Sequence, residues 1–310
     1  MKILFMGTPD FAVFSLRSLV EAGHEIVGVV TQPDKPRGRG YQMMPPPVKV
    51  AAEELGFTVY QPNTLKDEAF AELLSALAPE TIVVVAYGKI LPKNVLDFPK
   101  HGCINVHGSL LPEYRGAAPM QRAIIDGKAV TGITTMYMDV GLDTGDMLLR
   151  EELPIEDSDN FETIHDKLGA LGAELIVKTI AAAEAGTLER IPQNDADANY
   201  AQKITKEDCL VDFSRDARTV HNQIRGLSPI PLSFTHTPDG KLLKITSAQL
   251  TDEVTEHASV GEVLSIDGGI TVACARGSVT LLGVLPEGKP RMSAVDFIRG
   301  RKVSVGDILK

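Results

Sequence analysis

Residues 2–10 read KILFMGTPD, and this stretch decides the fold. The apolar run at residues 3–6 is typical of a buried first strand. Gly7 allows a tight turn after the strand, Thr8 is a candidate helix cap, and Pro9 suits about the first helical position. The stretch therefore predicts a strand, a turn and a helix in succession.

Strand-like and helix-like segments continue to alternate through the first 185 residues. Strands are predicted at residues 25–31, 81–86, 102–106 and 132–138, and helices at residues 11–21, 48–55, 66–77 and 161–185. This alternation favours an α/β fold with a mainly parallel sheet covered by helices on both faces. The turn after the first strand is not the Gly-x-Gly-x-x-Gly fingerprint, which disfavours a nicotinamide or flavin cofactor.

The pattern changes after residue 186. Residues 186–206 carry Pro, Asn and several Asp without a clear period, which predicts a linker. Beyond it, one helix is predicted at residues 216–224, and short strands at residues 242–250, 261–265, 269–275 and 278–285. These strands favour a smaller β-barrel, with the OB type as one candidate. We therefore expect domains at residues 1–189 and 207–310, joined by a linker at residues 190–206.

Composition places the chain among soluble globular proteins. Of its 310 residues, 44% are hydrophobic and 23% are charged. No apolar run approaches the roughly 18 residues that a membrane span requires, so we expect no membrane association. The three cysteines are not clustered, so we expect no disulfide framework, no zinc site and a reducing, cytoplasmic location.

The formal net charge of −10 argues against a surface coated by nucleic acid. The charge is uneven along the chain, however. Residues 1–206 hold 19 Lys and Arg against 28 Asp and Glu, whereas residues 207–310 hold 12 against 13. Because the second part is almost neutral, it is the better place for an anionic partner to dock.

Asn105 and His107 stand where the strand predicted at residues 102–106 ends. Side chains two residues apart on a strand share a face, and open α/β sheets bind ligands at the carboxyl ends of their strands. Asn105 can donate to an oxygen that becomes negative, while His107 can move a proton near neutral pH. The pair suits acyl transfer, and no nucleophilic Ser or Cys is needed if the substrate brings its own amine.

A histidine in this role needs a carboxylate to orient it. Residues 139–146 read DVGLDTGD and follow the strand predicted at residues 132–138. Asp139, Asp143 and Asp146 are the candidates. Aspartates are also common in turns, and the pattern does not choose among the three.

The residues after His107 could complete a pocket. Ser109, Leu110, Leu111 and Pro112 predict a turn with an apolar wall and available backbone groups, which suits a flat heteroaromatic ligand. Tyr114 and Arg115 could then offer an aromatic ring and a cation to the rim. The alternatives are an ordinary connector for the turn and a solvated loop for Tyr114 and Arg115, with Arg115 on a nearby carboxylate.

Residues 32–47 form a loop that is too long and too rich in Gly and Pro for a plain strand-to-helix connection. It carries Lys35, Arg37 and Arg39 on an otherwise acidic domain. A cationic loop near a site suits a phosphate-bearing substrate, and a merely solvated loop is the alternative.

Several motifs resemble those of the formyltransferase family that takes its one-carbon unit from 10-formyltetrahydrofolate. They are NVHGSLLP at residues 105–112, RGAAP at 115–119 and GLDTG at 141–145. The likeness extends from GTPDF at residues 7–11 to the C-terminal domain, so it covers nearly the whole chain. It implies a Rossmann-like catalytic domain followed by an OB-like domain that helps to hold tRNA.

The resemblance also implies roles for single residues. Asn105, His107 and Asp143 match the family's catalytic trio, which selects one of the three aspartates. The turn Ser109, Leu110, Leu111 and Pro112 matches the folate-contacting turn. Arg39 matches the basic residue of the loop thought to approach the tRNA acceptor end, and Arg37 lies in the same loop. Tyr114 stands where relatives often carry Trp, and the chain has no Trp.

The function implied by the resemblance is transfer of a formyl group to the α-amino group of methionine esterified to initiator tRNA. The donor would be 10-formyltetrahydrofolate, and neither a metal nor an obligate protein partner is implied. The trio fits equally a formyltransferase for a small amine, such as a sugar nucleotide or glycinamide ribonucleotide. A non-catalytic folate-binding sensor is a further alternative. The spacing of His101 and His107 disfavours a metallohydrolase.

Overall fold

The computed structural model describes residues 1–37, 42–257, 259–300 and 302–310, and only the backbone of Arg37 and Gln42. The chain forms two compact units. The first comprises Met1–Gly116, Thr131–Leu153 and His165–Tyr200, and the second comprises Ala117–Val130, Pro154–Ile164 and Ala201–Lys310. The second unit thus draws two short segments from within the first 189 residues. The predicted domains at residues 1–189, 190–206 and 207–310 stay a prediction.

The elements follow one another along the described chain with these bounds. The strands are β1 (Lys2–Gly7), β2 (Glu25–Val30), β3 (Lys35–Arg37), β4 (Gln42–Met44), β5 (Val59–Tyr60), β6 (Thr81–Val85), β7 (Cys103–His107), β8 (Arg115–Gly116), β9 (Val130–Tyr137), β10 (Met147–Pro154), β11 (Tyr200–Ala201), β12 (Ser233–His236), β13 (Leu242–Glu256), β14 (Val263–Ser265), β15 (Ile270–Ala273), β16 (Arg276–Pro286) and β17 (Met292–Ser293). The helices are α1 (Asp10–Glu21), α2 (Pro47–Glu54), α3 (Glu68–Leu77), α4 (Lys93–Leu96), α5 (Pro119–Ile125), α6 (Phe161–Ala185), α7 (Ala217–Gly226) and α8 (Ala294–Arg299).

The sheet of the first unit has the strand order β10-β9-β7-β6-β1-β2-β5. β5, β2, β1, β6 and β7 run parallel, whereas β9 runs antiparallel to β7. Parallel neighbours need helical crossovers, and the helices that alternate with these strands supply them. The predicted α/β fold with a mainly parallel sheet is therefore confirmed.

Helix α6 packs on β7, the strand that carries Asn105 and His107. Helix α6 passes close to β7, because a Cβ added at Gly172 would lie 3.0 Å from Val106 Cγ1. A larger residue at position 172 would push the helix away from the strand. At the first turn of the chain, the cap prediction was wrong. Thr8 donates its hydroxyl to the carbonyl of Tyr87, and Pro9 is the N-cap residue of α1.

The second unit contains an antiparallel sheet in the order β12-β13-β16-β15-β14, with β17 paired to β16. Its apolar side chains form one buried core with those of α7 and α8. Helix α5, from the early segment of this unit, packs on α7. A Cβ added at Gly226 would lie 2.9 Å from Ile125 Cγ1 and 3.3 Å from the carbonyl oxygen of Gln121, so the two helices approach closely.

The C-terminal segment hydrogen-bonds to both end strands of this sheet. The amide of Val263, in β14, donates to the carbonyl of Asp307. The amides of His236, in β12, and Lys310 each donate to the other's carbonyl. The second unit is thus β-rich, as expected, whereas a closed barrel of the OB type stays a prediction.

Candidate functional site

Asn105 and His107 lie on β7, between β6 and β9. Asn105 is opposite Val84 of β6 and Met136 of β9, and His107 is opposite Thr134 of β9. Both residues are buried, with 8% and 6% of their surfaces exposed. Because they are two residues apart on one strand, their side chains share a face. The end of β7 therefore presents an amide and an imidazole together.

The contacts of His107 define the role of each ring nitrogen. Nε2 lies 3.0 Å from the carbonyl oxygen of Tyr114, and Nδ1 lies 3.8 Å from Oδ2 of Asp143. A carbonyl oxygen can only accept, so Nε2 carries a proton and donates it. In the neutral imidazole, Nδ1 then keeps its lone pair. Nδ1 can therefore take a proton, and the resulting imidazolium would face the Asp143 carboxylate.

The three candidate aspartates have different partners. Asp139 Oδ1 accepts hydrogen bonds from Gly141 N at 2.9 Å and from Thr144 Oγ1 at 2.7 Å, which is a turn role. Asp146 Oδ2 lies 2.8 Å from Nε of Arg190 and forms an ion pair with it. Neither contact involves the imidazole.

Asp143 is the aspartate that lies against His107. Its Oδ2 also accepts a hydrogen bond of 2.8 Å from the amide of Gly116. Its φ of 55° is in the left-handed region, which non-glycine residues seldom adopt. The loop returns sharply at Gly145, where a Cβ would lie 1.8 Å from the carbonyl oxygen of Tyr137. The backbone of this loop therefore brings the carboxylate to the imidazole.

The turn at residues 109–112 uses backbone groups that we expected to be available. Thr134 Oγ1 donates to the carbonyl of Ser109 at 2.7 Å and accepts from the amide of Leu111 at 3.0 Å. The Ser109 hydroxyl donates to the carbonyl of Glu113 at 2.6 Å. The expectation of available backbone groups was therefore wrong for Leu111 N, whose single N–H is used, whereas Ser109 O keeps a second acceptor position. The turn itself and its buried apolar residue Leu111 are present.

Tyr114 and Arg115 are buried, and the prediction that they line a pocket rim was wrong. Arg115 is 2% exposed, and its Nη2 lies 2.9 Å from Oδ1 of Asp195. No N–H of Nη2 points along a hydrogen bond, so this contact is an ion pair without a directed hydrogen bond. Arg115 Nε donates to Gln193 Oε1 at 3.0 Å. The guanidinium is therefore a structural group within the first unit.

Residues 193–199, which the sequence assigned to a linker, contribute polar contacts to the site. Gln193 Nε2 donates to the carbonyls of Asp143 and Gly145 at 2.8 Å and 2.7 Å. Asn199 Oδ1 accepts a hydrogen bond from the amide of Tyr114, whose carbonyl bonds to His107. These residues were missed because single amide side chains in an aperiodic segment give no pattern.

The two arginines predicted to contact tRNA, Arg37 and Arg39, cannot be placed on the site. Arg39 lies outside the described residues, and so does the side chain of Arg37. Among the described residues of this region, β3 pairs antiparallel with β4.

The second unit has its own buried histidine. His221, on α7, is 7% exposed and adjoins a cavity of about 420 Å³ that Arg218 and Arg225 also line. Burial, followed by the charges of Arg225 and Arg218, lowers the pKa of His221. Arg225 Nη1 donates to the carbonyls of Glu156 at 2.8 Å and Asp159 at 3.0 Å.

No helix in the described ranges is long and apolar enough to span a bilayer. Within the same ranges, no group of three His, Cys, Asp or Glu residues could hold a metal ion.

Sequence comparisons identify the families to which the chain is similar. The profile of the family described as "Formyl transferase" matches residues 1–180, and that of "Formyl transferase, C-terminal domain" matches residues 203–302. The methionyl-tRNA formyltransferase of Pelotomaculum thermopropionicum is 48% identical over 310 residues, covering 100% of this chain and 98% of the relative. That of Syntrophus aciditrophicus is 49% identical over 309 residues, covering 99% and 98%.

Solved structures with the same fold are more distant in sequence. The N-formyltransferase from Helicobacter canadensis, in complex with folinic acid and dTDP-3-aminofucose, aligns with a TM-score of 0.65 at 18% identity, covering 91% of this chain and 98% of that one. HypX from Aquifex aeolicus, in complex with tetrahydrofolic acid, aligns with a TM-score of 0.64 at 17% identity, covering 96% and 47%. At these identities the likeness concerns the fold.

Proposed function

The chain belongs to the formyl transferase family, and from that premise we propose how its residues carry out the reaction. The chain transfers a formyl group from formyltetrahydrofolate to the amino group of methionine on initiator tRNA, the activity for which its full-length relatives are named. One observation carries the proposed mechanism: Asp143 Oδ2 lies 3.8 Å from Nδ1 of His107. His107 and Asn105 both belong to β7.

The donor we propose is 10-formyltetrahydrofolate. The buried cluster of Leu111, Met136 and Met147 supports this choice, because Met136 lies directly opposite Asn105 and gives an apolar wall next to an amide donor. Ser109, Leu110, Leu111 and Pro112 form the folate-contacting turn in this proposal. Leu110 and Pro112 are the half-buried members of the turn and would make its outward contacts.

The donor supplies a formyl carbon that the amine attacks, so that a new C–N bond forms, the bond from formyl carbon to N10 breaks, and one proton passes from the amine to N10. Asn105 donates a hydrogen bond to the formyl oxygen as it becomes negative. His107 takes or gives the proton at Nδ1, because its Nε2 proton is held by the Tyr114 carbonyl. Asp143 orients the ring and faces the imidazolium.

The second unit is proposed to hold the tRNA as an OB-like domain. Two observations support this role. The second part of the sequence is almost neutral within an acidic chain, and the C-terminal segment hydrogen-bonds to both end strands of the sheet. In functional terms we retain the division into a catalytic domain at residues 1–189, a linker at residues 190–206 and a tRNA-binding domain at residues 207–310.

The acceptor can be tested directly by supplying labelled formyl donor with charged initiator tRNA, a sugar nucleotide amine or glycinamide ribonucleotide. We expect label on the charged tRNA and on neither small amine. Label on a small amine alone would overturn the acceptor. Binding of the folate without turnover on any amine would instead support a folate-binding sensor.

Arg37 and Arg39 are proposed to contact the tRNA backbone near its acceptor end. If Arg39 neutralises one phosphate, Arg39→Ala lowers the affinity for tRNA and reduces the slope of log K against log salt by about 0.7 to 0.9. Tyr41→Phe, in the same loop, is the matched control without a charge change. An unchanged slope in Arg39→Ala would return the loop to a solvated connector.

A further inference from the structure

We propose that Gln193 is a positioning residue, which holds the Asp143 loop so that the carboxylate stays aligned with His107 during formyl transfer. This inference rests on the proposed function, because it matters only if Asp143 acts on His107. Gln193 does not contact His107 in the described geometry, and its effect passes through the backbone of the loop.

The amide of Gln193 has one possible orientation. Its Nε2 lies within hydrogen-bond distance of two carbonyl oxygens, those of Asp143 and Gly145, which can only accept. Its Oε1 faces Nε of Arg115, which can only donate. A flipped amide would place an acceptor against two acceptors and a donor against a donor. The side chain therefore has both its donor and its acceptor function committed.

The loop that Gln193 holds needs external support. Asp143 has a positive φ, and Gly145 approaches a neighbouring carbonyl oxygen closely. Residues held in such a backbone conformation persist when surrounding contacts fix them. Gln193 bonds to the carbonyls on both sides of Thr144, so it fixes the loop at the two positions where its direction changes.

Gln193 also connects the loop to the strand residue that binds the carboxylate. Arg115 donates to Gln193, and the next residue, Gly116, donates its amide to Asp143 Oδ2. Together with the bond from Gln193 to the Asp143 carbonyl, these contacts link Asp143, Gln193 and residues 115–116 to one another. Loss of the Gln193 amide removes two of these links and lets Asp143 move relative to His107.

Three single variants separate the possible roles of Gln193. Gln193→Ala removes all of its contacts. Gln193→Glu keeps an acceptor for Arg115 but replaces the donor that faces the two carbonyls. Asn194→Ala is the matched control, because the Asn194 side chain bonds to Ala196 and Asp197 within its own turn. Each variant is assayed in the full chain for kcat, for KM of both substrates, for the pH profile of kcat/KM and for the melting temperature.

The expected result is a fall in kcat of about 10- to 100-fold in Gln193→Ala and Gln193→Glu, since small misplacements of a catalytic group have effects of this size. KM for both substrates should stay close to that of the parent. The melting temperature should fall modestly, because Arg115 Nε and two carbonyls lose a partner, while the chain stays folded at the assay temperature. The pH profile should change because the environment of His107 changes, and Asn194→Ala should match the parent in every measurement. If Gln193→Glu keeps the parental kcat, the hydrogen bonds from Gln193 to the carbonyls of Asp143 and Gly145 do not affect turnover, and the inference is overturned. A loss of kcat that only follows a loss of folded protein also overturns it.

A double-mutant cycle with Asp143→Asn tests whether Gln193 acts through Asp143. If it does, Gln193→Ala costs little more in a chain that already carries Asp143→Asn. Equal costs in the two backgrounds would overturn the inference. Parental kcat in Gln193→Ala, together with a severe loss in Asp143→Asn, refutes the inference and leaves the proposed function intact. A near-normal rate in Asp143→Asn would refute the assigned role of Asp143 itself.

Discussion

His107 and His221 are two similarly buried histidines, one in each compact unit, and they lie beside groups of different charge. His107 bonds to the carbonyl of Tyr114 through Nε2 and faces the Asp143 carboxylate with Nδ1. His221 lies beside Arg225 and Arg218, which together with burial lower its pKa. The imidazole of His107 thus faces a carboxylate, whereas that of His221 lies beside two guanidinium groups. The difference teaches that burial alone does not single out a candidate catalytic histidine, and that the sign of the neighbouring charges separates the two.

Substitution of His107 should have the largest effect on turnover. His107→Ala is expected to lower kcat by about 10²- to 10⁴-fold, which is the usual range for loss of a general acid or base. His221→Gln is the matched control and should keep kcat close to the parental value. Single-turnover formylation of charged initiator tRNA measures both. Equal losses of kcat in the two variants would contradict the different roles of the two histidines.

Removal of the amide beside His107 should be the next largest effect. Asn105→Ala is expected to lower kcat by about 10²- to 10³-fold, because the formyl oxygen loses a hydrogen-bond donor as it becomes negative. The fold should be retained, and circular dichroism checks this. Asn222→Ala removes a buried amide near His221 and should leave kcat nearly unchanged. A near-normal rate in Asn105→Ala would remove Asn105 from the mechanism.

Loss of the cation beside His221 should affect stability instead of turnover. Arg225→Ala leaves the carbonyls of Glu156 and Asp159 without a buried donor. We expect the free energy of unfolding to fall by about 3 kcal/mol, as for other buried acceptors left unpaired. Denaturant unfolding of the full chain measures this. Arg299→Ala, at an exposed ion pair with Asp296, should change it far less.

The pH dependence of stability should give the smallest signal. The folded-state pKa of His221 is below its usual 6.5 because of burial, Arg225 and Arg218, while Asp157 and the Ala248 backbone act in the other direction. The unfolded state therefore binds more protons, so this residue lowers stability as the pH falls through 6.5. His221→Gln should lose less stability than the parent between neutral pH and about pH 5. Identical losses in both chains would show that the pKa of His221 is not lowered in the folded state.

The elements that depend on local sequence patterns could be predicted from the sequence. The buried strands and the long helix α6 follow from apolar runs and periodicity, and the expected bounds of α6 coincide with the observed ones. β13 extends to Glu256, beyond the predicted residue 250. The prediction stopped short because residues 251–256 are mostly polar and exposed and show no apolar pattern. The shared face of Asn105 and His107 follows from strand geometry alone.

Contacts between distant residues were beyond such reasoning. Gln193 bonds to Asp143 and Arg115 across 50 and 78 residues, and no periodic signal marks a single amide in a loop. The choice among Asp139, Asp143 and Asp146 likewise depended on where the chain turned back. Arg115 was expected at a pocket rim because it follows the turn at residues 109–112, but it is buried, with Asp195 and Gln193 as its partners.

The two early segments that belong to the second unit limit how this protein can be recombined with its relatives. A chimera that exchanges only residues 201–310 would keep α5 from one parent and take α7 from the other, although the two helices pack together with the backbone of Gly226 close to Ile125. An exchange of the complete unit needs residues 117–130 and 154–164 as well. Crossovers that respect all three segments should therefore give folded hybrids more often than a single crossover near residue 200.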